Sequence, residues 1–86
     1  MEYLLDLSGI SNRQQFHEEL AAQLQLPDWY GNNLDALYDC LTEYTRRITV
    51  VGWEDTEKTL EDYFQSFRRV CMDAMDANPQ LDVVFA

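Results

Sequence analysis

Three short apolar runs, too far apart in sequence to form hairpins, constrain this chain more than any other feature. They are Tyr3-Leu4-Leu5-Asp6-Leu7, Ile48-Thr49-Val50-Val51-Gly52-Trp53 and Leu81-Asp82-Val83-Val84-Phe85. The second and third are rich in β-branched residues, which pack well on a pleated surface. Helical patterns fill both gaps. Strands joined through helices pair in parallel, because only a long crossover returns the chain to the same end of the sheet. The expected fold is α/β, a three-stranded parallel sheet packed with helices and connected by right-handed crossovers. At 86 residues the chain has room for one domain with one modest core, so residues 1–86 are taken as a single unit.

The first helix is expected to start at Ser11, whose spacing to Gln14 fits a capping box. Phe16, Leu20 and Leu24 then recur every four residues on one face. Gln25-Leu26-Pro27 ends it, since proline disfavours the α conformation of the residue before it. A loop of turn formers follows, Pro27 to Asn33, and Asn32 or Asn33 is placed to cap the next helix. That helix is predicted over 34–44, with Leu34, Leu37, Leu41 and Tyr44 as its apolar stripe. A last helical region over 55–78 carries Leu60, Phe64, Phe67, Cys71, Ala74 and Asn78 on one face. Its length accommodates two helices, with a break that periodicity does not place. Expected core residues are Phe16, Leu20, Leu34, Leu37, Leu41, Val50, Phe64, Phe67 and Val83.

Charge narrows the function. Sixteen Asp and Glu against six Lys and Arg give a formal net charge of −10. A nucleic-acid binder needs the opposite sign to neutralise phosphates, and anionic membranes repel such a surface. A basic protein partner is the expectation, reached faster because opposite fields steer the encounter. Cys40 and Cys71 belong to no CxxC or Cys/His cluster, so they read as buried free thiols, and neither a metal nor another cofactor is expected. The N-terminal segment lacks the basic region of a signal peptide, and no apolar run reaches the roughly 20 residues of a membrane span. A cytoplasmic protein, monomeric when free, is expected.

The 34–44 helix has a second face. At about 100° per residue, Asp35, Tyr38, Asp39 and Thr42 lie opposite Leu34, Leu37 and Leu41. Two carboxylates one turn apart repel, and Asp is a poor helix former, so local stability does not explain the choice. Only Asp35, in the first turn, is favoured by the helix dipole. Trp29 and Tyr30 precede this face; such aromatics in a loop serve as interface anchors, and for Tyr30 core packing is the equal alternative. An acid–base pair of Asp35 and Asp39 is disfavoured because the helix is convex and no Ser/His or metal set accompanies it. The sole histidine, His17, is expected at the surface of the first helix. No catalytic residue is assigned.

The segment Leu26-Pro27-Asp28-Trp29-Tyr30-Gly31-Asn32-Asn33-Leu34-Asp35-Ala36-Leu37-Tyr38-Asp39-Cys40-Leu41-Thr42 resembles the signature of the barstar family, intracellular inhibitors of secreted bacterial ribonucleases. The resemblance implies an immunity protein, not an enzyme, whose acidic helix and adjoining loop (27–44) plug the basic active site of a cognate ribonuclease. It implies that Asp39 enters the enzyme's phosphate site and stands in for an RNA phosphate. Asp35 would meet basic residues at the mouth, and Trp29 would stack on the catalytic histidine where the family often has Tyr. Tyr38 replaces a common Trp, while Gly31, Asn33 and Thr42 fall at further contact positions. The family's further acid on the last helix has no clean counterpart; Asp76 and Asp73 both fit it loosely, and Asp76 is taken as the contact. Glu43 and Tyr44 depart from the family's pattern. The alternative is an interaction module of the same fold with a basic partner that is not a ribonuclease.

Overall fold

The computed structural model describes residues 2–43 and 46–86. In chain order the elements are β1 (Glu2–Asp6), α1 (Arg13–Gln23), α2 (Leu34–Glu43), β2 (Arg46–Val51), α3 (Trp53–Leu60), α4 (Asp62–Ala77) and β3 (Leu81–Phe85). The three strands form one parallel sheet in the order β1-β2-β3. Each crossover advances by one strand in the same direction. Two crossovers of the same hand then place both helical pairs on one face of the sheet.

Strand alternation agrees with that arrangement. Leu5, Ile48, Val50, Leu81 and Val83 point inward and are buried with Phe16, Leu20, Leu24, Leu37, Leu41, Phe64, Phe67 and Cys71. On the other face Leu4 is 64% exposed and Val84 47%; the register Leu4↔Thr49↔Val84 sets them in one row. In the next row Arg47 lies 3.9 Å from Glu2 and 3.6 Å from Asp82, in water-exposed pairs that contribute little. Inside, Phe16 meets Phe67 edge-on, with ring centroids 5.0 Å apart.

Several boundaries differ from the sequence expectation, each for a local reason. The second strand starts two residues earlier and ends at Val51, so Trp53 opens α3 instead of closing the strand. Between them Gly52 takes φ 65°, and a Cβ there would collide with Ser8 Oγ and come within 2.7 Å of Asp6 Oδ1. The break in the last helical region falls at Glu61, at φ 50° and ψ −118°. Asn12, not Ser11, caps α1: its Oδ1 accepts from Gln15 N, while Gln15 Oε1 accepts from Ser11 N, both at 2.8 Å. The cap falls one residue later than expected, and the returning Gln15 bond goes to Ser11 N, the residue before the cap, not to the cap's own N–H. α2 is described to Glu43; Tyr44 lies outside the described residues. Leu34 is half-buried, while the other expected core residues are buried.

Candidate partner-binding face

The loop between α1 and α2 is built by three left-handed or capped positions. α1 ends in a Schellman motif: Gln25 takes φ 53° and Leu26 N donates to Ala21 O at 3.0 Å. The chain then turns, with Tyr30 N donating to Pro27 O at 2.9 Å, and Asn32 takes φ 54°. Asn33 is the α2 cap, its Oδ1 accepting from Ala36 N at 2.8 Å. The same amide donates through Nδ2 to Gly31 O at 3.1 Å, so Asn33 fixes the loop as well as the helix.

Burial along α2 is divided as the periodicity requires. Leu37, Cys40 and Leu41 face the core. Asp35, Asp39 and Glu43 are exposed and step by four, forming one acidic ridge. Thr42 is half-buried, and its hydroxyl donates to Asp39 O at 3.1 Å, leaving the Asp39 carboxylate outside that bond. Tyr38 is half-buried and packs against the core cluster, with the rest of its surface beside the ridge. Trp29 is 55% exposed, a large apolar side chain held outward on the loop. Gly31 and Asn33 are exposed between them. Residues 27–43 hold four acids, Asp28, Asp35, Asp39 and Glu43, and none of the chain's Lys or Arg.

Tyr30 takes the inward alternative. It is buried, and its hydroxyl lies 2.5 Å from His17 Nδ1. His17 is therefore not at the surface as expected: it is 2% exposed, and its Nε2 lies 2.5 Å from the Tyr63 hydroxyl on α4. Burial lowers the His17 pKa below its ordinary 6.5, and burial raises those of Tyr30 and Tyr63. The Arg13 guanidinium sits 4.2 Å over the Tyr63 ring, outside this chain of hydrogen bonds. Sequence reading missed this support. The signal was present, because His17 precedes Leu20 by three and Leu24 by seven and so flanks the apolar stripe.

Asp76 and Asp73 are both exposed on α4. Asp76 is two residues from Asn78, whose Nδ2 donates to Leu41 O at 3.2 Å and ties the end of α4 to α2. Cys40 and Cys71 are free and buried, and burial raises both thiols, Cys71 to about 12.

Chemically, the segment offers carboxylates on a helix, an exposed aromatic side chain on the preceding loop, and no Lys or Arg of its own. A sequence profile of the Barstar (barnase inhibitor) family matches residues 1–86. Over 57 residues the chain is 40% identical to a Bacillus subtilis (strain 168) protein bearing the name "Putative ribonuclease inhibitor YrdF", a match covering 66% of this chain and 53% of that one. The matched stretch thus spans about half of that relative's length.

Proposed function

The chain belongs to the barstar family, and on that premise we propose that it inhibits a basic ribonuclease by seating α2 and the preceding loop in the enzyme's active site. The observation that carries this reading is the acidic ridge Asp35-Asp39-Glu43, with exposed Trp29 on the loop that precedes it, in a segment free of Lys and Arg. A site that cleaves RNA is a cationic cleft. A carboxylate already fixed on a helix enters it with little ordering cost and replaces a phosphate as a charge-assisted acceptor. Asp39 takes that central position and Asp35 the mouth of the cleft. Trp29 and Tyr38 supply apolar contact around them, and Gly31, Asn33, Thr42 and Asp76 contact the rim. Tyr30 acts from beneath, by holding the loop. The inhibitor works as a cytoplasmic monomer when free.

The test is titration of the protein into RNA-cleavage assays with barnase and other basic microbial ribonucleases, followed by calorimetry. Stoichiometric loss of cleavage by at least one enzyme, removed by Asp39→Ala, is the expected result. Full cleavage by all of them, with no heat of binding, would overturn the reading.

A further inference from the structure

The hydrogen-bond chain Tyr30–His17–Tyr63 joins three parts of the fold at one imidazole. Tyr30 belongs to the loop that carries Trp29 and Gly31; His17 is on α1 and Tyr63 on α4. Tyr30 and His17 are buried, whereas Trp29 next to Tyr30 is exposed. Trp29 and Gly31 are thus carried on a loop whose buried residue is bonded underneath them.

A neutral imidazole has one donor and one acceptor nitrogen, so it passes one hydrogen bond on and receives the other. Protonation makes both nitrogens donors. The tyrosine hydroxyl that had donated to the ring loses its acceptor, and the imidazolium of a residue 2% exposed carries its charge away from bulk water. The groups facing the ring offer no compensation. Tyr30 comes from the loop and Tyr63 from α4; Arg13, from α1, is a cation over the Tyr63 ring; and Cys40, on α2, is a protonated thiol near Tyr30. Among the described residues no Asp or Glu pairs with His17. α1 and α4 are held by their own backbone bonds, whereas Tyr30 sits in a turn. Tyr63 is half-buried, so water can meet its hydroxyl where it stands; Tyr30 is buried, and only its outward movement relieves that side of the imidazole.

We propose that His17 is the positioning residue of the partner-facing loop, and that gain of a proton by its ring releases Tyr30, shifts Trp29 and Gly31, and weakens binding of the ribonuclease. The binding half rests on the function proposed above; the loop half does not.

The loop half is read on the free protein by NMR, following the Trp29 indole, the Gly31 amide and the His17 ring from pH 8 to pH 5. The loop signals should move together with the His17 titration, below pH 6.5, while the Trp53 indole stays still. His17→Gln keeps one donor and one acceptor without titrating in this range, so its loop signals should match the native ones at pH 8 and stay flat. Loop signals that ignore the His17 titration, or that shift equally in His17→Gln, would overturn the proposal. Should His17→Gln not fold, Tyr30→Phe decides: His17 still titrates, and the loop should cease to follow it; continued following refutes the coupling. The binding half is read as the dissociation constant for barnase, or for whichever ribonuclease the chain inhibits. Between pH 8 and pH 5 it should rise more in the native protein than in His17→Gln, by up to about tenfold for each pH unit by which binding lowers the His17 pKa, while the variant carries only what the enzyme's own groups contribute. A moving loop with the same pH dependence of binding in both proteins overturns the gating. If no ribonuclease binds, the proposed function fails, and the loop result still stands by itself.

Discussion

The side-chain amide of Gln23 makes both hydrogen bonds that a neighbouring strand would make to Asp6. Asp6 N donates to Gln23 Oε1 at 2.7 Å, and Gln23 Nε2 donates to Asp6 O at 2.8 Å. A glutamine on α1 thereby closes the outer edge of β1. At the opposite edge Val83 N donates to Met75 Sδ at 3.4 Å, a weaker bond from α4 to β3. Both open edges of a three-stranded sheet are met by side chains at one point each, which blunts pairing with a second sheet.

Gln23→Ala should therefore lower stability by about 1–2 kcal/mol, the net value of two partly exposed hydrogen bonds. It should also raise self-association on mild heating. Urea unfolding and light scattering measure the two effects. An unchanged midpoint with no added scattering would show that water replaces the glutamine without loss.

Two backbone positions should respond to opposite substitutions. Gly52 is left-handed and crowded by Ser8 and Asp6, so Gly52→Ala should destabilise by about 2–4 kcal/mol through strain and collision. Glu61 occupies φ 50° and ψ −118°, a region that costs a side chain about 1–3 kcal/mol. Glu61→Gly should relieve more strain than it adds unfolded-state entropy, raising stability by about 0.5–1 kcal/mol. Thermal unfolding of both variants checks the pair.

Those positions also mark what the sequence made legible. The parallel sheet, the faces of α2 and α4, and most of the core follow from spacing alone, because each rests on repeated apolar positions that agree with one another. The acidic ridge was readable for the same reason: Asp35 and Asp39 fall opposite Leu37 and Leu41. The Glu61 break was not readable, since a glutamate at positive φ carries no turn signal. Nor was the single-residue shift of the α1 cap, because Ser11/Gln14 and Asn12/Gln15 both have box spacing. The burial of His17 had a signal in its place beside the apolar stripe, but its hydrogen-bond partners had none. Its place depends on two hydroxyls, Tyr30 and Tyr63, that are 13 and 46 residues away.

Both thiols should be inert while the protein is folded. Burial raises Cys40 and pushes Cys71 up to about 12, so at pH 8 Cys71 has almost no thiolate. A thiol reagent should modify neither at an appreciable rate in buffer and both in urea, without prior reduction. Rapid labelling of the folded protein would contradict the packing described for α2 and α4.

Stability should fall as pH drops below 6.5. The folded His17 binds its proton less readily than the unfolded chain does, because burial lowers its pKa. Between 6.5 and the lower folded value the unfolded state therefore carries more protons, and acid favours unfolding. Above 6.5 the contribution is constant. Denaturation midpoints from pH 8 to pH 5 should be flat, then decline, and the decline should vanish in His17→Gln.

Substitutions on the ridge separate an active-site plug from a generally acidic surface. Asp39→Ala should cost about 2–5 kcal/mol of ribonuclease binding, because it leaves desolvated cations of the enzyme unpaired. Asp35→Ala, at the mouth, should cost less. Glu57→Ala and Glu61→Ala lie on α3 and at its end, away from the ridge, and should act only through the long-range field, about 0.5 kcal/mol or less each at physiological salt. Removing Asp39 also relieves repulsion from Asp35 and Glu43 one turn to either side, so the free protein should become slightly more stable, by about 0.2–0.5 kcal/mol per pair. Leu37→Ala is the fold control and should lower stability by about 2–5 kcal/mol. Salt should slow association of the native pair and leave the ranking intact. Calorimetry and stopped-flow measure both quantities against one ribonuclease. Four equal losses would mean that the partner reads bulk charge, and a weaker Asp39 than Asp35 would move the centre of the site toward the loop.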